Sequence, residues 1–150
     1  MAMQRRELLI GAGAAIATAT AGRALASEHA GHGNHAAKKT RPTPRTIVFD
    51  NAIALRALGE MCIAFCLDNI PEDPSLVDCA RTAKEMLAVN GAIEQLAAMD
   101  SPRLMEVAKA TVSVYDNCQK ICEKHEAHHK ICRQCAKQCA EMKIAIAALT

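Results

Sequence analysis

The sequence predicts an all-α fold, an antiparallel up-down-up-down four-helix bundle, from its composition and its periodicity. Hydrophobic residues make up 51% of the chain, yet it has one Tyr, two Phe and no Trp. A core built from Ala, Leu, Ile, Val, Met and Cys suits closely packed helices better than a sheet, because strands favour aromatic and β-branched side chains. Helix-start signals recur along the chain, with apolar residues at helical spacing between them. The 150 residues are enough for one domain.

The first 26 residues predict a signal peptide rather than a part of this fold. Arg5-Arg6 precedes an Ala- and Gly-rich apolar run, and Ala24-Leu25-Ala26 offers the small residues that a signal peptidase reads. The paired arginines indicate export by the twin-arginine route, and therefore a periplasmic or other extracytoplasmic location. A membrane anchor is the alternative, although the apolar run is short for a span of about 20 residues.

The charge balance excludes two classes of partner. Cleavage after residue 26 removes three arginines and one glutamate, which leaves equal numbers of basic and acidic side chains. No nucleic acid or anionic membrane is therefore expected as a partner of the cleaved chain. Residues 27–42 lack hydrophobic periodicity and predict a flexible tail. Its histidines, His29, His32 and His35, are either metal-capturing or incidental.

Residues 43–150 form the predicted bundle domain. Thr43-Pro44, Asp73-Pro74 and Ser101-Pro102 each resemble an N-cap followed by proline at the first helical position. These signals predict helices over 44–69, 74–98, 102–125 and 128–148. The last junction has no strong helix breaker, so one continuous helix across it is the alternative.

Each predicted helix carries an apolar stripe at steps of three and four residues, which is typical of a helix that faces a bundle interior. The stripes are Val48, Ala52, Leu55, Leu58, Cys62 and Cys66 in the first helix; Leu76, Cys79, Ala83, Met86, Asn90, Ile93 and Ala97 in the second; Leu104, Val107, Thr111, Val114, Cys118 and Cys122 in the third; and Cys132, Cys135, Cys139, Met142, Ile146 and Leu149 in the fourth.

All eight cysteines are predicted to meet at one end of the bundle. In an up-down-up-down arrangement, the ends of the first and third helices lie beside the starts of the second and fourth. With a rise of about 1.5 Å per residue, the cysteines lie from roughly 5 Å to somewhat more than 10 Å below that end. The predicted metal ligands are Cys62, Cys66, Cys79, Cys118, Cys122, Cys132, Cys135 and Cys139.

Soft thiolates at this spacing select Cu(I), zinc or an iron–sulfur cluster. Cu(I) tolerates two ligands, and one thiolate can bridge two ions, so the capacity approaches one ion per cysteine, about eight. Eight thiolates with eight Cu(I) ions are also electrically neutral, which suits a poorly solvated interior.

The cysteine-bearing segments resemble those of the cysteine-rich four-helix-bundle copper storage proteins. The leader and the following Glu28-His29-Ala30-Gly31-His32 resemble the exported branch of that family. The resemblance runs through Cys62-Ile-Ala-Phe-Cys66, Cys79 and Cys118-Gln-Lys-Ile-Cys122-Glu-Lys, and ends in Cys132-Arg-Gln-Cys135-Ala-Lys-Gln-Cys139-Ala-Glu. It implies Cu(I) held by inward-facing cysteines, often in a homo-tetramer of bundles. The expected role is copper storage, buffering or detoxification, and copper-accepting proteins are further expected partners. Typical members carry more cysteines, so a smaller store is expected here.

Other functions remain alternatives at this stage. Cross-helix disulfides such as Cys62–Cys135 would give a structural or interaction module, although i, i+4 pairs within one helix are poorly placed for bridging. Cys132-x-x-Cys135-x-x-x-Cys139 has a spacing similar to that of ferredoxins, which suggests an iron–sulfur electron carrier, but no Cys-Pro follows. Structural zinc would leave half of the cysteines unexplained. No set of nucleophile, base and orienting residue is present, so no enzyme is predicted.

Three histidines fall at the junction of the third and fourth helices, beside the cysteine end. His125, His128 and His129 are either ligands that receive copper at the mouth of the cavity or solvated turn residues. Met61 and Met142 neighbour the cysteines, and thioethers suit Cu(I), but core packing is their default role.

Overall fold

The computed structural model describes residues 41–150, which form four α-helices joined by short connections. The helices are α1 (Pro44–Asn69), α2 (Leu76–Ala98), α3 (Leu104–Glu123) and α4 (Lys130–Ala147). α1 packs against α2 and α4, and α3 packs against the same two helices. The predicted all-α four-helix bundle is therefore confirmed. The predicted signal peptide and tail histidines lie outside the described residues.

The helix starts agree with the sequence signals at one site and differ at two. The Oγ1 atom of Thr43 accepts a hydrogen bond from the backbone N–H of Thr46 at 3.2 Å, as an N-cap should. The predicted starts at 74 and 102 are wrong by two residues. The N–H of Leu76 donates to the carbonyl of Asp73, and that of Leu104 donates to the carbonyl of Ser101. These i to i+3 bonds form a tight turn ahead of each α-helix.

The connection between α3 and α4 is a turn of six residues, so the alternative of one continuous helix is wrong. Successive i to i+3 hydrogen bonds end α3, among them one from the N–H of His125 to the carbonyl of Cys122 at 3.0 Å. The guanidinium of Arg133 then donates to the carbonyl of Glu126 at 2.7 Å. This contact anchors the connection to the first turn of α4.

At the opposite end of the bundle, α2 stops through a left-handed residue. Asp100 has a φ of 55°, and the N–H of Ser101 donates to the carbonyl of Leu96 at 3.0 Å. This is the geometry of a helix C-terminus closed by a left-handed residue, which Asp tolerates better than most side chains do. Arg45 near the start of α1 pairs with the Asp100 carboxylate at 2.7 Å. The contact agrees with an antiparallel arrangement of α1 and α2.

The core follows the predicted stripes of α2 and α4 completely and those of α1 and α3 in part. Every stripe residue of α2 and α4 is buried. In α1, Gly59 rather than Leu58 faces the interior, and a Cβ atom at this position would lie 2.7 Å from Cδ2 of Leu87. Gly59 therefore allows α1 and α2 to approach closely. In α3, Ala108 and Tyr115 are buried, whereas the predicted stripe residues Val107, Thr111 and Val114 are only half-buried.

Beyond the cysteines, the core consists mainly of aliphatic and Met side chains, which surround the buried polar pair of Asn90 and Tyr115. Asn90 is fully buried, and its Nδ2 atom donates to the carbonyl of Ala52 at 2.8 Å. The hydroxyl of Tyr115 donates to Oδ1 of Asn90 at 3.4 Å. Burial raises the pKa of Tyr115 well above its ordinary value, so this hydroxyl keeps its proton. Among the described residues, none of the helices is sufficiently long and apolar to cross a bilayer.

Candidate metal centre

All eight cysteines lie in the interior of the bundle. Each has zero solvent exposure, and each thiol is free. The four helices all contribute, with two cysteines from α1, one from α2, two from α3 and three from α4. The helical stripes therefore place every predicted thiol ligand inside the fold.

The sulfur atoms form three groups that share members, and within each group the atoms lie within 4.8 Å of one another. The groups are Cys62, Cys66, Cys79 and Cys132; Cys62, Cys122 and Cys135; and Cys118, Cys135 and Cys139. Cys62 joins the first group to the second, and Cys135 joins the second to the third. All eight predicted residues therefore belong to one continuous chain of sulfur atoms, which we call the thiol cavity.

Cys79, the one cysteine of α2, has close neighbours on each of the other helices. Its Sγ atom is 3.9 Å from that of Cys62, 3.5 Å from that of Cys122 and 3.9 Å from that of Cys132. These distances are far longer than the roughly 2.05 Å of a disulfide bond. They match thiols in van der Waals or weak hydrogen-bond contact, and each gap can be spanned by one ion bound to both sulfur atoms.

The thiols share their protons unequally because they lie so close together. The pKa of Cys132 is lowered, because the neighbouring thiols of Cys62, Cys66 and Cys79 stabilise its thiolate. The pKa of Cys66 is raised by its contact with Cys132 and also by burial, which disfavours a second thiolate. Metal ions must therefore displace protons as they bind, and the positive charge of each ion replaces the charge that the protons carried.

The three histidines of the α3–α4 connection have different surroundings. The imidazole of His125 is nine-tenths buried, and His129 packs against Phe65 with ring centroids 5.0 Å apart. His128 is exposed, with its ring centroid 6.4 Å from that of His129. The structure thus brings two of the three histidines against the cysteine end and leaves the third at the surface.

Met61 and Met142, which neighbour the cysteines in the sequence, have different surroundings. Met142 is fully buried in α4, one turn beyond Cys139, whereas Met61 is 58% exposed. Met61 lines a surface depression together with His128 and His129. Met142 therefore belongs to the core, and Met61 to the surface beside the histidines.

The sequence did not indicate Asp73 as a site residue, because it reads as a helix N-cap. In the structure its Oδ2 atom lies 3.9 Å from Nδ1 of His125 and 3.9 Å from Nε2 of His129. These contacts join the α1–α2 connection to the α3–α4 connection above the thiol cavity. These contacts depend on the topology, which places the two connections side by side, and so the sequence alone does not indicate them.

A helical bundle whose buried end is lined by free thiols in overlapping groups is a protein built to hold soft metal ions. The family model described as copper storage protein matches residues 43–149. The chain therefore belongs to the copper storage protein family, and the resemblance carried by its cysteine segments is confirmed. No curated protein matches the chain. Membership of a storage family suggests a non-enzymatic role.

Proposed function

We propose that the chain binds several Cu(I) ions in the thiol cavity, up to about one per cysteine, as a store, buffer or means of detoxification outside the cytoplasm. The observation that carries the proposal is the sharing of Cys62 and Cys135 between neighbouring sulfur groups. A shared sulfur can bridge two ions, so the three groups support one continuous copper–thiolate cluster.

Three features favour Cu(I) over the other soft ions. The cavity has zero solvent exposure at every cysteine, so a cluster in which thiolate and metal charges cancel is favoured over a charged one. A structural zinc ion takes four ligands in a closed tetrahedron, and such a site would use only the first sulfur group fully. An iron–sulfur cluster needs space for its inorganic core, whereas the sulfur atoms around Cys79 are only 3.5–3.9 Å apart.

The location and partners belong to the same proposal. The twin-arginine motif and the Ala24-Leu25-Ala26 cleavage signal support export of the chain. The family resemblance supports a homo-tetramer of bundles, and a copper buffer of this kind would pass its copper to copper-accepting proteins. Secretion of the cleaved chain in a host with the twin-arginine pathway, and its loss when Arg5 and Arg6 are replaced by Lys, would test the route.

We further propose that His125, His128 and His129 receive Cu(I) at the mouth of the cavity. The support is their position in the α3–α4 connection, with His125 three residues beyond Cys122 and His129 three residues before Cys132. Replacing all three with Ala should slow copper loading and leave the final capacity unchanged. An unchanged loading rate in stopped-flow measurements would return them to the role of turn residues.

Anaerobic titration of the reduced chain, lacking residues 1–26, with Cu(I) in the presence of a competing chelator tests the main proposal. We expect saturation near eight equivalents, because each of the eight sulfur atoms can serve two ions. A parallel titration with Zn(II) should saturate at far fewer ions. Saturation with Cu(I) at one or two equivalents, or iron–sulfur absorbance in the purified protein, would contradict the cluster.

A further inference from the structure

The α1–α2 connection brings one carboxylate between two imidazoles of the α3–α4 connection. The Oδ2 atom of Asp73 is 3.9 Å from a ring nitrogen of His125 and 3.9 Å from a ring nitrogen of His129. Both distances are too long for a hydrogen bond. They are, however, close to the separation of two ligand atoms that share one ion through bonds of about 2.0–2.2 Å.

The carboxylate is held in place from its other side. Oδ1 of Asp73 accepts hydrogen bonds from the backbone N–H of Ser75, at 3.1 Å, and from the hydroxyl of Ser75. These bonds lower the pKa of Asp73, and the two nearby imidazoles lower it further, so the group is a carboxylate at neutral pH. A hydrogen-bonded partner that orients a ligating carboxylate in this way is a regular feature of metal sites. It leaves Oδ2 directed at the imidazoles.

The two imidazoles are also positioned by the fold. The backbone N–H groups of His128 and His129 both donate to the carbonyl of His125, which forms a turn that brings His125 and His129 to the same side. Packing against Phe65 supports the ring of His129. A surface depression of about 350 Å³, lined in part by Asp73 and His125, gives solvent ions access.

We propose that Asp73, His125 and His129 form a second metal site, for a divalent ion such as Cu(II), outside the thiol cavity. Two imidazoles and one carboxylate are borderline and hard donors, and among divalent first-row ions such sets bind Cu(II) most tightly. The thiol cavity selects Cu(I) through soft sulfur. Because His125 and His129 only pass Cu(I) on to that cavity, they are left to bind Cu(II) once the thiols are filled. The ring centroids of His125 and His129 are 6.4 Å apart, so the side chains must turn toward a shared ion. The side chain of Asp73 is 40% exposed and that of His129 is 23% exposed, which leaves both free to do so.

This inference goes beyond the Cu(I) function proposed above, because it uses no thiol. The test uses the chain lacking residues 1–26, with His29, His32 and His35 replaced by Asn so that the tail contributes no imidazole. The protein is first saturated with Cu(I) under anaerobic conditions, so that the thiols are occupied, and this step reports any failure of the storage function by itself. Cu(II) is then added and followed by electron paramagnetic resonance.

We expect one tightly bound Cu(II) per chain, with magnetic coupling to two imidazole nitrogens. Asp73→Asn should weaken Cu(II) binding by at least about tenfold, and His129→Asn should reduce the coupled imidazoles from two to one. Asp78→Asn is the matched control, because Asp78 lines the same depression but pairs with Arg81, with 3.7 Å between the charged atoms. Thermal unfolding followed by circular dichroism verifies that each variant is folded.

Three results would overturn the site. The first is that the Cu(I)-saturated protein binds no stoichiometric Cu(II). The second is Cu(II) binding that survives both Asp73→Asn and the double change His125→Asn with His129→Asn, and the third is a loss of Cu(II) affinity in Asp78→Asn equal to that in Asp73→Asn. The last result would mean that general negative charge attracts the ion, rather than a defined ligand set.

Discussion

The two halves of this bundle use the same helices for different purposes. At one end, all four helices place cysteines at inward positions, and the sulfur atoms are close enough to share ions. At the other end, the inward positions are occupied by larger side chains, including Leu55, Ile93, Leu104 and Ile146, all buried. A buried Leu or Ile contributes about 1.5–3 kcal/mol relative to its exposed state, more than the smaller thiol of Cys does. The aliphatic half therefore provides most of the stability of the bundle, and the cysteine half can bind and release metal ions.

The boundary between the halves coincides with a polar layer. Asn90 bonds to the backbone of α1 and accepts from Tyr115 of α3, while Gln138 of α4 donates to Asn51 of α1 at 2.7 Å. Asn90 and Tyr115 are buried, and Gln138 and Asn51 are half-buried. Paired polar groups of this kind in a bundle interior favour one arrangement of helices. The layer thus holds the four helices in register between the cavity and the aliphatic core.

The largest expected effect concerns the cysteines that belong to two sulfur groups. Replacing Cys62 and Cys135 with Ser should lower the Cu(I) capacity below six ions, because it removes the two sulfur atoms that each belong to two groups. Only the 3.5 Å contact of Cys79 with Cys122 then connects the first group to the second. The matched control replaces Cys66 and Cys139, each of which belongs to one group, and should lose about two ions. Anaerobic Cu(I) titration measures both. Equal losses in the two variants would show that the sulfur atoms act independently rather than as one cluster.

The second prediction separates stability from copper capacity. Ile93→Ala in the aliphatic half should lower the free energy of unfolding by about 2–5 kcal/mol, since it leaves a cavity in a fully buried region. Its copper capacity should equal that of the unmodified chain. Ile144→Ala is the control, because Ile144 is 65% exposed and its truncation should change stability by only about 0.5 kcal/mol. Urea unfolding and Cu(I) titration report the two quantities; a parallel loss of capacity in Ile93→Ala would mean that the halves are not separate.

The smallest effect is expected at the surface, where an ion pair joins α3 to α4. The Asp116 carboxylate contacts Lys120 at 2.7 Å and Lys143 at 2.8 Å, and these hydrogen bonds lower its pKa to about 2 from the ordinary 3.8. A lowered folded-state pKa stabilises the protein above the unfolded-state pKa, and this contribution is lost as the pH falls toward the folded value.

Asp116→Asn should therefore slightly lower the melting temperature at neutral pH, and the difference should disappear between about pH 4 and pH 2. Melting curves of both proteins across this range check the prediction. A difference that persists unchanged at pH 2 would show that the carboxylate charge is not its source.

Most of the fold was predictable from the sequence, because the N-cap and proline signals and the spacing of the apolar stripes indicate the same four helices. The bounds of α1 were predicted at both ends, since Thr43-Pro44 caps its start and a proline follows its last residue closely. The inward face of α3 was harder. A helical period of 3.6 residues allows steps of either three or four from Leu104, and Val107 fits the pattern as well as Ala108 does. The large side chain of Tyr115 decides the matter by packing inward, beside Asn90.

The candidate site was likewise predictable only in part. The cysteines were predicted because each lies on a stripe, and a stripe is a local property of one helix. Their grouping could not be predicted, since it depends on how four helices are rotated against one another. The contacts of Asp73 could not be predicted either, because they join two connections that are 52 residues apart at Asp73 and His125. Sequence patterns describe the elements, and packing decides which side chains meet.

We expect copper to bind in the cysteine half of the bundle and nowhere in the aliphatic half. A crystal structure of the Cu(I)-saturated protein, with anomalous scattering recorded at the copper edge, tests it directly. We expect several copper positions, each between Sγ atoms of the eight cysteines and all on the cysteine side of Asn90. Copper confined to the protein surface with the thiol cavity empty, or copper bound among Ile93, Leu104 and Ile146, would contradict it.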